Sequence, residues 1–232
     1  MKFNHLVIIF TLLLIAFSSC QIGDDDSTPT RNFYSFSLGL EIDPVKTEYQ
    51  NGDIFWLSTS IPTKELTDTD SGNTVRVGNG KFTFQIDVYD PFAQPDDTDK
   101  FNLAEQIGEV TEIGDFEETG SALISFGCPS STYTLNTGIQ FIKLGGYLVY
   151  LNRDQPLPQV IFTDDDDCSL IPDNQVPPDN ADIGSVSYSF DVDDTNKEAF
   201  ETYAANFPNS SVDLTSIRNA LDEKRAFFVL VK

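Results

Sequence analysis

An alternation of apolar and polar residues begins at position 33, and this period of two constrains the fold more than any other feature. Between Phe82 and Val88 every second residue is apolar, as in a strand that turns one face to a core. The segment from Tyr34 to Leu40 has the same period. Short strands separated by Gly, Pro, Asn and Asp favour a mainly β fold, an Ig-like or related β-sandwich. Further strand candidates are 54–57, 122–126, 139–143, 147–151, 160–162 and 186–190.

Two glycine-containing turns predict hairpins. Gly78-Asn79-Gly80 lies between a strand candidate at 74–77 and the strand at 82–88, and Asn-Gly is the strongest short hairpin signal. Gly145-Gly146 separates the candidates at 139–143 and 147–151, which predicts a second hairpin.

The remaining segments predict a loop followed by a short helical excursion near the C-terminus. Residues 103–118 have weak helical spacing interrupted by glycines, so we expect a long loop with at most one helical turn. Thr195-Asn196-Lys197-Glu198 is a capping-box pattern that predicts a helix over 199–206. Asp213 predicts the start of a second short helix, and 226–231 reads as a last strand.

The N-terminus has the pattern of an export signal. Lys2 precedes a 12-residue run, Leu6 to Phe17, that is apolar apart from Thr11. A spanning helix needs about 20 apolar residues, so the run is typical of a signal peptide. Small residues then precede a cysteine in Phe17-Ser18-Ser19-Cys20.

This motif resembles the lipobox of bacterial lipoproteins, and the residues that follow are similar to the acidic export signal of Bacteroidetes surface lipoproteins. The resemblance implies cleavage before Cys20, lipid attachment to Cys20, and an outer-membrane protein that faces outward. Asp24, Asp25 and Asp26 would form the export signal, and they also fit a solvated tether. The expected organisation is a signal peptide (1–19), a lipidated acidic tether (20–30) and a sandwich body (31–232) with a possible sub-boundary at 171–183.

Histidine and net charge exclude several classes of function. The single histidine, His5, lies in the expected signal peptide, so the processed chain would have no imidazole for a Ser-His-Asp triad or a His-ligated zinc site. The net charge of −23 argues against a nucleic-acid partner, which requires basic surfaces.

The two remaining cysteines, Cys128 and Cys168, predict one disulfide, because an exported protein meets an oxidising environment. Two inert thiols are the alternative. A catalytic thiol is disfavoured, since no histidine would activate it.

Acidic clusters raise the possibility of calcium binding. Calcium takes six to eight oxygen ligands, and Asp-rich loops supply them. The candidate ligands are Asp164, Asp165, Asp166, Asp167, Asp191 and Asp193. None of these segments completes a known calcium loop, and Asp also serves turns and solubility. Both interpretations stay open.

No motif indicates catalysis. Paired carboxylates could hydrolyse glycosides without histidine, yet nothing singles out one pair among 37 acidic residues. Trp56, the single tryptophan, could stack on a sugar ring, but its neighbours Phe55 and Leu57 favour a core position. The sequence therefore predicts a lipid-anchored, non-enzymatic surface protein without a cofactor that binds a glycan or another envelope protein. A calcium-dependent adhesion module is the alternative, and a carboxylate-based glycoside hydrolase is a distant third.

Overall fold

Two six-stranded sheets pack face to face in the computed structural model of this protein. It describes residues 31–93, 101–112, 120–127, 132–153, 155–167 and 180–232. The strands are β1 (Phe33–Asp43), β2 (Glu48–Tyr49), β3 (Ile54–Ile61), β4 (Glu65–Thr67), β5 (Thr74–Arg76), β6 (Lys81–Tyr89), β7 (Phe101–Ile107), β8 (Glu109–Glu112), β9 (Ser121–Gly127), β10 (Tyr133–Phe141), β11 (Gly145–Leu151), β12 (Gln159–Phe162), β13 (Asp182–Phe190) and β14 (Ala226–Val231); the helices are α1 (Lys197–Ala204) and α2 (Leu214–Asp222).

Each sheet combines strands that are far apart in the sequence. Sheet I has the order β12-β13-β1-β3-β10-β7, and sheet II has the order β2-β14-β11-β6-β9-β8. Strands β4 and β5 form a separate two-stranded ribbon. Most neighbours are antiparallel, but β1 with β13 and β2 with β14 are parallel pairs. The mainly β sandwich with a helical excursion near the C-terminus is thus confirmed.

The period-two alternation builds the core between the sheets. The apolar residues of β6, from Phe82 to Val88, are all buried, as the sequence predicts. Aromatic rings meet across the two sheets: the ring centroids of Phe84 and Tyr188 are 4.8 Å apart, and those of Phe55 and Phe227 are 5.5 Å apart. Burying one such side chain contributes about 1.5–3 kcal/mol, so these contacts dominate the stability of the sandwich.

A second core lies on the outer face of sheet II, where α1 and α2 pack. Strand β14 is buried on both faces: Phe227 belongs to the core between the sheets, and Phe228 belongs to the core under the helices. Strand β11 divides in the same way between Tyr147 and Tyr150. The two tyrosines therefore lie on opposite faces, as their sequence parity predicts. Phe200 of α1 also lies in this second core.

Both predicted hairpins are wrong, although their strands form. Strand β5 pairs with β4 and not with β6, because the Asn79 side chain binds the chain end of β12 instead of closing a turn. Its Oδ1 accepts a hydrogen bond from the backbone N–H of Thr163 at 2.8 Å. At Gly145-Gly146 the chain crosses from sheet I to sheet II, so β10 and β11 never pair.

The loop predicted over 103–118 is wrong for residues 103–112, the part that the structure describes, and the capping box is also wrong. Residues 101–112 form β7 and β8, one in each sheet, with the break at Gly108. Helix α1 begins as expected, but Asn196 makes no side-chain cap. Its amide donates instead to the backbone oxygens of Lys46 and Phe228, which ties the start of α1 to the sheet.

The second helix follows the sequence expectation. Asp213 accepts hydrogen bonds from the backbone N–H groups of Thr215 and Ser216 at the start of α2. Residues 31–232 form one compact unit. The possible sub-boundary at 171–183 lies largely outside the described residues. Within the ranges described, no helix is long and apolar enough to cross a membrane.

Candidate functional site

The outer faces of the two sheets differ in what covers them. Helices α1 and α2 pack on sheet II, whereas neither described helix contacts the outer face of sheet I. This face is polar because serine, threonine and asparagine occupy six of the 13 outward positions of its central strands and Glu41, Asp43 and Gln140 occupy three more. The outward residues of the central strands are Ser35, Ser37, Gly39, Glu41 and Asp43 in β1, Ile54, Trp56, Ser58 and Ser60 in β3, and Thr134, Asn136, Gly138 and Gln140 in β10.

Trp56 lies on this outer face, so its expected place in the core is wrong. Its neighbours Phe55 and Leu57 are fully buried between the sheets, and the alternation of β3 places Trp56 on the other side. The side chain is half-buried. The indole covers Gly138 of β10, because Cζ3 lies 2.9 Å from the position that a Cβ on Gly138 would take.

Residues from four strands form a row beside Trp56. Glu41 of β1 pairs with Ser58 of β3, Ser58 pairs with Asn136 of β10, and Asn136 pairs with Ile107 of β7. Ile107 is 55% exposed, which is unusual for a residue of its type. The row thus has polar side chains in its middle, a carboxylate at one end and an apolar side chain at the other.

A groove of about 450 Å³ lies over these four strands. Its lining includes Ser58 and Ser60 of β3 and Thr134 and Asn136 of β10, and Asp191 lies beside Glu41 on one wall. Asp191 packs closely over Gly39, where an added Cβ would lie 3.2 Å from the Asp191 Cβ. We call this feature the sheet I groove. Trp56 adjoins it, two positions before Ser58 on the same strand.

The polar side chains of the sheet I groove have no protein partners. Within the described part of the chain, no side-chain hydrogen bond involves Ser58, Ser60, Thr134 or Asn136, and the Trp56 Nε1 has none either. Near the other edge of the same face, Ser185 and Ser187 are satisfied by the backbone oxygens of β1. The side chains of the sheet I groove therefore keep hydrogen-bonding capacity for a ligand or solvent.

A larger cavity of about 690 Å³ lies between α2 and sheet II, and the protein itself already uses its polar groups. Asp213 caps α2, and Glu223 forms an ion pair with Arg225. The Arg153 guanidinium stacks 4.2 Å from the centroid of Tyr89. These contacts leave fewer groups for a ligand than the sheet I groove offers.

Of the candidate calcium ligands at 164–167, Asp166 forms ion pairs with Lys64 and Arg76. The Nζ of the buried Lys64 lies 2.8 Å from Asp166 Oδ1, and an Arg76 nitrogen lies 2.9 Å from Asp166 Oδ2. Hydrogen bonding from Lys64 lowers the pKa of Asp166, and the nearby Arg76 charge adds to the effect. The Asp165 carboxylate accepts from the backbone N–H of Asp167, and Asp164 accepts from Arg76 through its backbone oxygen.

The other two candidate ligands lie elsewhere. Asp191 lines the sheet I groove, and Asp193 is exposed in the segment before α1. Among the residues whose positions are described, no three acidic, histidine or cysteine side chains group to hold a metal ion. Calcium binding stays a prediction.

The remaining predicted site residues, Cys20, Asp24, Asp25, Asp26, Cys128 and Cys168, lie outside the described residues. The residue before each body cysteine is nevertheless placed. Gly127 pairs with Lys81, and the Asp167 backbone oxygen accepts a hydrogen bond from Asn79 Nδ2 at 3.2 Å. Both flanking residues therefore contact the short segment 79–81.

The sequence contained a signal for the sheet I groove. Serine recurs at alternate positions in β1, β3 and β13, and it marks an outward face that stays polar. Reading Trp56 by parity, together with Ser58 and Ser60, would have placed it on that face. Its apolar neighbours led to the wrong expectation, because they fill the opposite side of the strand.

Comparison with known proteins assigns no family. No protein-family model matches the sequence, and no curated protein sequence matches it. Crystal structures of the human F-spondin reeler domain, fragments 1 and 2, share 8% identity at a TM-score of 0.29; they cover 70% and 69% of this chain and 88% and 98% of their own. The crystal structure of the Reelin-N domain of F-spondin shares 9% identity at a TM-score of 0.28, and the match covers 69% of this chain and 86% of that domain. Such low scores carry no argument, so the interpretation depends on the chain's own geometry.

Proposed function

We propose that this protein is a lipid-anchored, non-enzymatic surface protein of the outer membrane that binds a glycan at the sheet I groove. The observation that carries the proposal is the half-buried Trp56 indole beside polar side chains that have no hydrogen-bond partner among the described residues. The anchor at Cys20 and the outward orientation depend on the lipobox and on the acidic residues after it. A disulfide between Cys128 and Cys168 completes the proposed surface protein.

Aromatic stacking and hydrogen bonding together explain why a sugar fits this site. A pyranose ring has an apolar C–H face that packs on an aromatic ring, and hydroxyl groups around its rim. Trp56 offers the aromatic surface, and Ser58 and Asn136 offer donors and acceptors close to it. Because Gly138 has no side chain, the indole lies close against the backbone of β10. The aromatic surface is therefore formed before a ligand binds.

Another envelope protein would bind a different kind of surface. Protein interfaces are centred on buried aromatic or arginine anchors and usually exclude water from about 800 Å² on each partner. Around Trp56 the outer face of sheet I presents small polar side chains, and the exposed Phe33 lies at the opposite end of β1. Its composition therefore favours a hydroxyl-rich ligand.

Glycan-array binding by the purified full-length protein in detergent tests the proposal. Trp56→Ala should lose at least tenfold in affinity for any glycan bound, whereas Trp56→Phe keeps an aromatic ring and should lose less. Phe33→Ala, which removes an aromatic side chain that is 74% exposed elsewhere on the chain, is the matched control. A silent array, or equal binding by the Ala variant and the wild type, contradicts the proposal. Co-purification of an envelope protein that depends on Trp56 would favour the protein partner.

The two alternative functions have simple tests. A calcium-dependent module should melt at a higher temperature in millimolar calcium than in EDTA. We expect no change, because Asp166 is already engaged by Lys64 and Arg76. A hydrolase should release new reducing ends from a glycan, and loss of that turnover on a single Asp or Glu substitution would overturn the non-enzymatic assignment.

A further inference from the structure

We infer that the sheet I groove binds an uncharged, linear glycan laid along β3 and rejects acidic glycans. This inference rests on the proposed function and names the ligand class of the same site. It follows from the series of outward side chains that begins at Trp56 on β3 and from the charge of the groove wall.

The groove spans four strands, and Trp56 extends its surface along β3. Glu41, Ser58, Asn136 and Ile107 form one cross-strand row of the lining, and Ser60 and Thr134 belong to the next row. Neighbouring strands are about 4.7–4.9 Å apart, so Glu41 and Ile107 are about 14–15 Å apart across the sheet. A ligand that extends from Trp56 along β3 crosses both rows between these two side chains.

Outward side chains repeat along β3 at a regular interval, beginning at Trp56. Trp56, Ser58 and Ser60 are successive outward residues of β3, and such residues are about 6.6–6.8 Å apart. Thr134 pairs with Ser60 in the same way that Asn136 pairs with Ser58. One ring on Trp56 would therefore be followed along β3 by rings that meet a donor and acceptor pair at each row. Affinity should rise from a monosaccharide to a short chain.

The charge of the groove excludes acidic sugars. Glu41 and Asp191 form one wall, Asp43 pairs with Trp56 across the strands, and the lining contains no lysine or arginine. In the ranges that the structure describes, none of these three carboxylates has an ion-pair partner. A uronic acid or sulfated sugar would bring a negative charge next to them with no cation to offset it. Neutral sugars meet no such repulsion, and carboxylates accept hydrogen bonds from their hydroxyl groups.

Calorimetric titration of the full-length protein with chains that differ only in charge tests the inference. The neutral probes are cellohexaose, laminarihexaose and xylohexaose, and the acidic probe is the cellohexaose chain oxidised at C6 to uronic acids. We expect at least one neutral hexamer to bind, more tightly than its monosaccharide. The oxidised chain should bind at least tenfold more weakly than the best neutral one.

A charge-matched pair of double variants separates the local effect from the net charge of the protein. E41Q/D191N should bind the oxidised chain more tightly relative to the neutral chain, so that the ratio of the two affinities falls. E65Q/E198Q changes the net charge equally at exposed sites outside the groove lining and should leave both affinities unchanged. Equal or tighter binding of an acidic glycan by the wild type would overturn the inference and leave the proposed function intact. The inference would also be overturned, and the proposed function kept, if none of the neutral hexamers bound while the array showed binding of an acidic glycan. Silence with every glycan would contradict both.

Discussion

Trp56 and Gly138 are paired residues of adjacent strands, and the indole occupies the space that any side chain at position 138 would need. A Cβ on Gly138 would lie 2.9 Å from Trp56 Cζ3 and 2.8 Å from Ile54 Cγ2. Both distances are below normal van der Waals contact, so a substitution here must displace the indole or a neighbour.

Gly138→Ala should therefore displace the Trp56 indole while the protein still folds. Overpacking of this kind costs about 1–3 kcal/mol, which denaturant unfolding would measure. We expect a loss of glycan affinity as well, because the displaced indole no longer covers position 138. Ser37→Ala, on the same outer face but away from Trp56, should change neither quantity. Unchanged affinity in the Gly138 variant would show that the indole position does not matter.

Asp166→Asn should destabilise the protein, because it removes the anionic partner of a buried cation. The Lys64 side chain is 2% exposed, and its ammonium group also donates to the Gly78 backbone oxygen. Leaving that charge without its carboxylate is costly, whereas K64M/D166N should recover part of the loss. Asp164→Asn is the control, since only the backbone oxygen of Asp164 contacts Arg76.

The stability that the Asp166 carboxylate contributes should be lost at low pH. Lys64 and Arg76 lower the pKa of Asp166 in the folded protein, so its carboxylate stabilises the fold at every pH above the unfolded value, about 3.9. That stabilisation is lost as the pH falls through the lowered folded pKa. Denaturant unfolding of the wild type and D166N should differ by a constant amount above about pH 5 and converge in acid. A difference that grows in acid would contradict the ion-pair account.

Reduction of the predicted disulfide should lower stability. Gly127, which precedes Cys128, pairs with Lys81, and Asp167, which precedes Cys168, accepts a hydrogen bond from Asn79, so both contact the short segment 79–81. A bridge closing a loop of about 40 residues contributes about 3–4 kcal/mol in the chain-entropy model. Cys128→Ser should therefore lower the unfolding midpoint, and reductant should affect only the wild type. Two free thiols in the unreduced wild type, by thiol titration, would exclude the bridge.

The anchor and the export signal should separate experimentally. Cys20→Ala should leave the protein in the soluble fraction, because it removes the residue expected to carry lipid. Neutralising Asp24, Asp25 and Asp26 should keep the protein in the membrane but protect it from protease added to intact cells. Continued cleavage by external protease would show that the acidic residues act only as a spacer.

The sequence predicted the strands well because strand formation here follows a local pattern. Alternation alone places Phe82 to Val88 on one face, and Asp213 caps α2 with its own side chain. Pairing is not local: Asn79 bonds to Thr163, 84 positions away, and this contact replaces the expected hairpin. Strand pairing over such separations leaves little trace in the residues near a turn.

The sheet I groove needed the topology before it could be recognised. Its cross-strand row draws Glu41, Ser58, Asn136 and Ile107 from four strands that are not consecutive in the chain. The polar outward positions of each strand were visible in the sequence, but their alignment was not. The candidate ligand Asp166 shows the reverse case, since its two cationic partners come from segments 102 and 90 positions away.

Intrinsic fluorescence tests glycan binding at the sheet I groove most directly, because Trp56 is the only tryptophan in the chain. Titration with a neutral glycan hexamer should change the intensity or wavelength of Trp56 emission, and the change should saturate at the affinity measured by calorimetry. Iodide quenching of the indole should fall as the ligand covers it. Calorimetric binding with no change in Trp56 emission or quenching would place the ligand elsewhere and contradict the account.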